Sequence, residues 1–304
     1  MQSASFTETG VAIHRGLLAS EPGLLDAVRA AHDARWPARD RVLDGWRRDA
    51  SVRQLATHPA VLEVVESTYG RRPIPFQTLN FRRGTGQPLH ADVIHFDSVP
   101  TGWVCAAWIA LEDVADDQGP VEYVPGSHRD DISRNYLTTR SGAFDNDAYE
   151  AAVAQHVGDR QRARFTASAG DVLIWHGALL HGGSPVLDST STRWSQVTHY
   201  FLDGFAYVTP QRAPTGAGGH FVRDPLIDIS TGRRVRHRLD GAPARLWRHA
   251  HGRTTLLGVD EPSPPVAARL ASAARGIRRR VAWWSEPARD ALRERLLTPR
   301  APAG

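Results

Sequence analysis

A change of period at Ile74 constrains this fold more than any other feature of the chain. Before it, Pro22-Gly23-Leu24-Leu25-Asp26-Ala27-Val28-Arg29 and His58-Pro59-Ala60-Val61-Leu62-Glu63-Val64-Val65 carry apolar residues three and four apart, the spacing of amphipathic helices. After it, short apolar runs are cut by Gly, Pro and Asp turns. Residues 74–83, 87–96, 103–112, 119–124, 162–167, 171–176 and 193–202 read as strands. Many short strands at irregular intervals predict a jelly roll. The expected fold class is mainly β with flanking helices, a double-stranded β-helix or cupin-like barrel, and 304 residues suffice for one large core.

Within this region His90-Ala91-Asp92 puts an imidazole and a carboxylate two residues apart. On an extended backbone both face one way while Ala91 faces the other, so they make two legs of a metal site. A third leg is expected from His181, in Trp175-His176-Gly177-Ala178-Leu179-Leu180-His181-Gly182-Gly183-Ser184, with Arg193 twelve residues on. Two His and one carboxylate with open positions opposite form the donor set of non-haem Fe(II) oxygenases. A second pair, His95-Phe96-Asp97, competes for this assignment. His176 reads as a core histidine.

The ordered set resembles the phytanoyl-CoA dioxygenase-like branch of the Fe(II)/2-oxoglutarate-dependent oxygenases. The resemblance rests on His90, Asp92, Trp108 in Ala107-Trp108-Ile109-Ala110-Leu111, Gly119-Pro120, Pro125-Gly126-Ser127-His128-Arg129, Gly170-Asp171-Val172-Leu173-Ile174, His181 and Arg193, and spans roughly residues 70–210. The family's interval from first ligand to this Trp fits His90 and not His95. The resemblance implies that His90, Asp92 and His181 bind Fe(II). It implies too that 2-oxoglutarate and O2 take the open positions and that Arg193 pairs with the cosubstrate's distal carboxylate. Trp108 and Ser184 are expected beside the cosubstrate, Gln77 and Asn80 are expected to face the pocket, and His95 is placed in the substrate cavity. Some relatives support the cosubstrate with a lysine; this chain has none, so either Arg82 or Arg83 substitutes or the contact is absent. Related halogenases lack the carboxylate ligand, and Asp92 argues against that chemistry.

The implied enzyme is a dioxygenase that hydroxylates an aliphatic C–H bond of a small metabolite. Two other readings stand beside it: an oxygenase modifying a macromolecule or lipid, and a non-catalytic jelly roll that binds sugar or metal. Charge bears on the first. All 37 basic residues are arginine, and residues 222–304 hold 17 of them against 8 acids, leaving 20 against 25 in the remainder. The basic segment is read as a solvated helical face, so no nucleic-acid partner is expected.

The organisation expected is an oxygenase domain over residues 1–240, with its N-terminal helices, followed by a basic helical extension over 241–304. In that extension Val266, Leu270, Ile277, Val281 and Trp284 form one helical stripe, suited to covering the barrel or joining copies of the chain into a homo-oligomer. Residues 126–160 form a long polar insertion with a helix near 147–157, and a lid over the iron is expected there, with Gly142 among its flexible points. One cysteine, Cys105, excludes an intramolecular disulfide and suits a reducing cytoplasm. The first residues have neither a basic stretch nor a long apolar one, so no signal peptide or transmembrane segment is expected.

Overall fold

The computed structural model describes residues 5–139, 143–212, 220–239, 241–248 and 254–256. The expected helical stripe over 266–284 and Gly142 lie outside these residues. The chain divides into two compact units, residues 1–244 and 245–304. In the second, Leu246–Arg248 pairs antiparallel with Thr254–Leu256.

The first unit carries twelve strands relevant to the site: β1 (Val11–His14), β2 (Arg41–Leu43), β3 (Pro73–Phe81), β4 (Asp97–Val99), β5 (Val104–Ala110), β6 (Val121–Tyr123), β7 (Ala163–Phe165), β8 (Val172–His176), β9 (His181–Gly183), β10 (Ser195–Leu202), β11 (Ala206–Val208) and β12 (Phe221–Val222). Six of them form one antiparallel sheet in the order β1-β8-β5-β10-β3-β2, and β7-β6-β9 form a second. β11 pairs with both β12 and β4.

Residues two apart on a strand share a face, and this parity sorts the large sheet into two sides. Cys105, Ala107 and Ile109 of β5, Val172 and Ile174 of β8 and Tyr200 and Leu202 of β10 face outward, packing on Leu24, Leu25, Val28, Val52, Leu55, Val61 and Val65. Those last residues come from the N-terminal helices Pro22–Arg35, Ala50–Ala56 and Pro59–Tyr69. Leu79, Phe81, Ala106, Trp108, Leu173, Trp175 and Val197 face inward and meet Val121, Tyr123 and Phe165 of the small sheet. Two sheets closing on one inner core, with helices on the outer face of the larger, give the jelly roll that the strand pattern predicts. Between β6 and β7 lie the helices Ile132–Thr139 and Asn146–Val157. Of the second, Tyr149, Val153 and Val157 are buried against Leu89, Ala91, Ile94 and Leu180. The expected lid is thus packed on the residues that flank the metal ligands. Among the described residues no helix is long and apolar enough to cross a membrane.

Candidate metal centre

His90 and His181 are held side by side by a reciprocal backbone bridge: the His90 amide donates to the His181 carbonyl at 2.9 Å, and the His181 amide donates back at 2.9 Å. Their ring centroids lie 4.6 Å apart. This approach depends on Gly182, where a Cβ would come within 2.5 Å of the Gln87 carbonyl. Each ring is then fixed by its own chain. His90 Nδ1 bonds the Pro88 carbonyl at 3.0 Å and His181 Nδ1 the Leu179 carbonyl at 2.9 Å. A carbonyl only accepts, so both rings carry their proton on Nδ1 and offer the Nε2 lone pair. Burial keeps both imidazoles neutral, lowering the pKa of His90 to about 3 and that of His181 in the same direction.

Asp92 reaches these rings by a route different from the expected one. The strand anticipated over 87–96 does not form. Beyond the bridge at His90 the chain bends into a 3-10 turn, Asp92–Ile94, so Asp92 opens a helical turn and does not sit two positions along a strand. Its Oδ2 accepts from Trp175 Nε1 at 2.8 Å, and its Oδ1 lies 3.5 Å from His199 Nε2. Burial pushes the Asp92 carboxyl upward, but His199 beside it holds its pKa below the ordinary value. One ligand atom from each of His90, Asp92 and His181 falls within 4.8 Å of the others, close enough to share one ion. Asp97 sits elsewhere, accepting from the backbone amides of Ser98 and Gly102 at 2.7 and 3.2 Å.

Arg193 is 3% exposed, its Nη1 donating to the Gly119 carbonyl at 2.7 Å. Its Nε has no partner among the described residues, and it makes no ion pair with a described carboxylate. Burial lowers its pKa to about 10. The guanidinium lies 5.7 Å from the centre of the Phe81 ring and 6.0 Å from that of Trp108, whose indole N–H is likewise buried and unpartnered. The Trp175 ring, 4.4 Å from His181, stands on β8 opposite Ala106. Trp108 is two residues along β5 from Ala106, roughly 7 Å.

Asn80 must be corrected: it does not face this pocket. It lies three residues from Gln77, an odd interval on one strand, and donates to Gln196 Oε1 at 2.9 Å on the helix-covered side, where Gln196 bonds the Val52 carbonyl. Gln77 stands opposite His199 in the pairing of β3 with β10 and accepts from Arg223 at 3.0 Å. The Ser184 hydroxyl donates to the Pro120 carbonyl at 3.0 Å. His95 bonds Gln211 at 2.9 Å with its ring 6.4 Å from that of His90, at the edge of the trio. Arg82 and Arg83 reach other partners: Arg82 the Pro37 carbonyl and Asp33, Arg83 the Ser189 and Ser191 carbonyls. His176 accepts from the Ala178 amide at 3.0 Å, apart from the trio.

Trp175 and His199, which grip Asp92, are absent from the sequence-based set. Strand parity carried the signal for both: Trp175 shares the inward face with Leu173, and His199 lies six residues, an even number, from Arg193.

The family described as phytanoyl-CoA dioxygenase (PhyH) matches residues 20–193. A Caenorhabditis elegans protein named probable phytanoyl-CoA dioxygenase is 23% identical over 198 residues, covering 62% of this chain and 61% of the relative. The human peroxisomal phytanoyl-CoA dioxygenase is 21% identical over 144 residues, covering 45% and 42%. The chain thus spans about three-fifths or less of the length of these curated relatives. Among solved structures, the epimerase SnoN in complex with Fe3+, alpha ketoglutarate and nogalamycin RO superposes with a TM-score of 0.54 at 20% identity, over 78% of this chain and 94% of that one. EctD from S. alaskensis with 2-oxoglutarate and 5-hydroxyectoine gives 0.52 at 17% identity, over 66% and 75%. These likenesses establish a shared fold.

Proposed function

This chain belongs to the phytanoyl-CoA dioxygenase family, and from that premise we propose that it is an Fe(II)- and 2-oxoglutarate-dependent dioxygenase that hydroxylates an aliphatic C–H bond of a small molecule. The observation that carries the reading is Arg193, a buried guanidinium without a carboxylate partner among the described residues, on the same inner face as a His-Asp-His trio. A buried charge costs free energy until it is paired, so the position is built for an incoming anion. The trio fits Fe(II): two neutral imidazole nitrogens and one ionised carboxylate, each held by a bond on its far side.

When bound, Fe(II) with 2-oxoglutarate and O2 supplies the oxidising chemistry. The work of the chain is placement. Pro88 and Leu179 hold His90 and His181 in the tautomer that leaves Nε2 free, and Trp175 and His199 fix the Asp92 carboxylate. Arg193 holds the distal carboxylate of the cosubstrate in a bidentate grip, with Trp108 beside it. Phe81 and Trp108 keep water from the guanidinium, which strengthens that pairing. His95 with Gln211, and Gln77 with Arg223, supply polar groups toward the substrate.

The reading extends to a small-molecule substrate, to an oxygenase domain over 1–240 with 241–304 as a separate extension, and to a reducing cytoplasm, which the single, buried Cys105 suits. The test is succinate formation by the full chain supplied with Fe(II), 2-oxoglutarate and O2, across a panel of candidate substrates. Metal-dependent succinate in the wild type, absent in Asp92→Ala and Arg193→Ala, is expected. Wild-type protein that binds neither cation nor 2-oxoglutarate would overturn the reading, and one that binds a cation but neither binds nor turns over 2-oxoglutarate would favour a binding module.

A further inference from the structure

The metal-binding peptide is held from outside the barrel. The Ala91 amide lies between two proposed ligands and points away from them, and it donates to the Tyr149 hydroxyl at 3.0 Å. That hydroxyl is also 2.8 Å from Ser133 Oγ. The phenol oxygen accepts from Ala91 and shares a second hydrogen bond with the Ser133 hydroxyl, so amide, phenol and serine form one chain. Tyr149 is 1% exposed, sits on the helix Asn146–Val157, and belongs to the insertion between β6 and β7. The same insertion reaches the other ligand strand, where the Ser127 hydroxyl accepts from the Leu180 amide, next to His181, at 2.9 Å. Side chains of this one excursion therefore bond the backbone beside His90 and Asp92 and the backbone beside His181.

We propose that Tyr149 is a positioning residue for the metal centre: its hydroxyl fixes the peptide between His90 and Asp92 and so sets the affinity with which the trio holds a divalent cation. This rests on the reading of His90, Asp92 and His181 as the ligands. Without the phenol oxygen the Ala91 amide is buried and unpaired, and that peptide plane is free to rotate toward another acceptor. That peptide joins His90 to Ala91, so its rotation redirects the chain on its way to Asp92 and displaces one ligand relative to the other, and a facial site tolerates little of it because three donors must converge within a fraction of an ångström. Coupling is reciprocal, so an ion on the trio also steadies the helix that carries Tyr149.

Removing a hydrogen-bond partner of a metal ligand weakens metal affinity by about 10- to 100-fold; Tyr149 acts through the intervening backbone, so the lower end, about tenfold, is expected for Tyr149→Phe, which keeps the ring and its packing. The probe is Co(II) titrated into the full chain, read by ligand-field absorption and by the rise in Tm that the metal produces. At fixed metal concentration a tenfold weaker site removes about 1.4 kcal/mol of metal-linked stability. A purely structural tyrosine would lower Tm equally with and without metal and leave that increment intact. Ser133→Ala, which unhooks the phenol without altering the core ring, is expected to weaken Co(II) several-fold and serves if Tyr149→Phe does not fold. Tyr136→Phe is the control, because its hydroxyl bonds the Asp145 carbonyl and not the metal peptide. Hydrogen exchange gives a second readout: Co(II) should slow amides of Asn146–Val157 in the wild type and not in Tyr149→Phe. Wild-type binding lost in Asp92→Ala but unchanged in Tyr149→Phe and Ser133→Ala overturns the Tyr149 assignment alone. A wild type that binds no Co(II), or an Asp92→Ala that binds as well as it does, overturns the ligand reading and this assignment with it.

Discussion

Arg193→Met should make the empty protein no less stable while removing its hold on 2-oxoglutarate, and the size of both effects follows from the burial of the guanidinium. Burial lowers the pKa of Arg193 from the ordinary 12.5 to about 10. A shift of that size corresponds to roughly 3 kcal/mol against the charged form. At pH 7.5 the group is fully charged, so the whole cost is present. Methionine has a similar reach and no charge; it gives up the 2.7 Å bond to the Gly119 carbonyl, worth about 1–2 kcal/mol. The net expectation is a metal-free, cosubstrate-free variant more stable than wild type by about 1–2 kcal/mol. With metal and 2-oxoglutarate present the order should reverse, because the carboxylate that pairs with Arg193 has no partner in the variant. Losing one member of a buried charge pair costs about 2–5 kcal/mol, roughly 30-fold to several thousand-fold in Kd. Urea denaturation with and without ligands, plus calorimetric titration of 2-oxoglutarate into Co(II)-loaded protein, measures both. A destabilised empty variant that binds 2-oxoglutarate as tightly as wild type would refute the reasoning and make Arg193 a structural residue.

Trp175→Phe removes the 2.8 Å indole bond to Asp92 while keeping an aromatic ring against His181, and metal affinity should fall about 10- to 100-fold by Co(II) titration; unchanged affinity would show that His199 alone fixes the carboxylate. His90→Ala, Asp92→Ala and His181→Ala should each abolish Fe(II)-dependent 2-oxoglutarate turnover in a folded protein, as circular dichroism and succinate assay would record, whereas Asp97→Asn should retain it; iron kept in Asp92→Ala and lost in Asp97→Asn reverses the ligand assignment. Asp97→Asn has a stability signature too. Burial raises the Asp97 pKa from 3.8 to about 6, so its contribution is most favourable below pH 3.8 and is lost as pH rises through 6. The asparagine should therefore stabilise the protein by up to about 3 kcal/mol at pH 8, less at pH 5, and a larger gain at pH 5 would contradict the sign. Helix Asn146–Val157, packed on Leu89, Ala91 and Leu180, should resist limited proteolysis equally with and without substrate; protection that appears only with substrate would restore the lid.

Where the sequence was legible, two residues of one strand or helix shared a face that the core had to cover. The helices near Pro22 and Pro59, and the strands ending in Phe81, Ala110, His176 and Leu202, follow from that rule. The short strands Val11–His14 and Arg41–Leu43 escaped it, since three or four residues offer no period to count, and only pairing with β8 and β3 makes them strands. The site divides the same way. The trio was readable, because His90, Asp92 and His181 are chemically specific and ordered, and the fold brings them together. The geometry that joins them was not. Asp92 was expected to share a strand face with His90, yet it turns inward through a 3-10 bend, and the Ala91 amide at that bend is bonded by the Tyr149 hydroxyl, 58 residues away in sequence. Asn80 failed for a related reason: it and Gln77 were assigned to one pocket although an odd interval separates them, and the amide instead joins Gln196 under the helices. The residues that hold a ligand in place are tryptophan, tyrosine and serine, types common in any core. Only the folded chain distinguishes Trp175, whose indole N–H ends on the Asp92 carboxylate, from Trp108, whose N–H is left without a described partner beside Arg193.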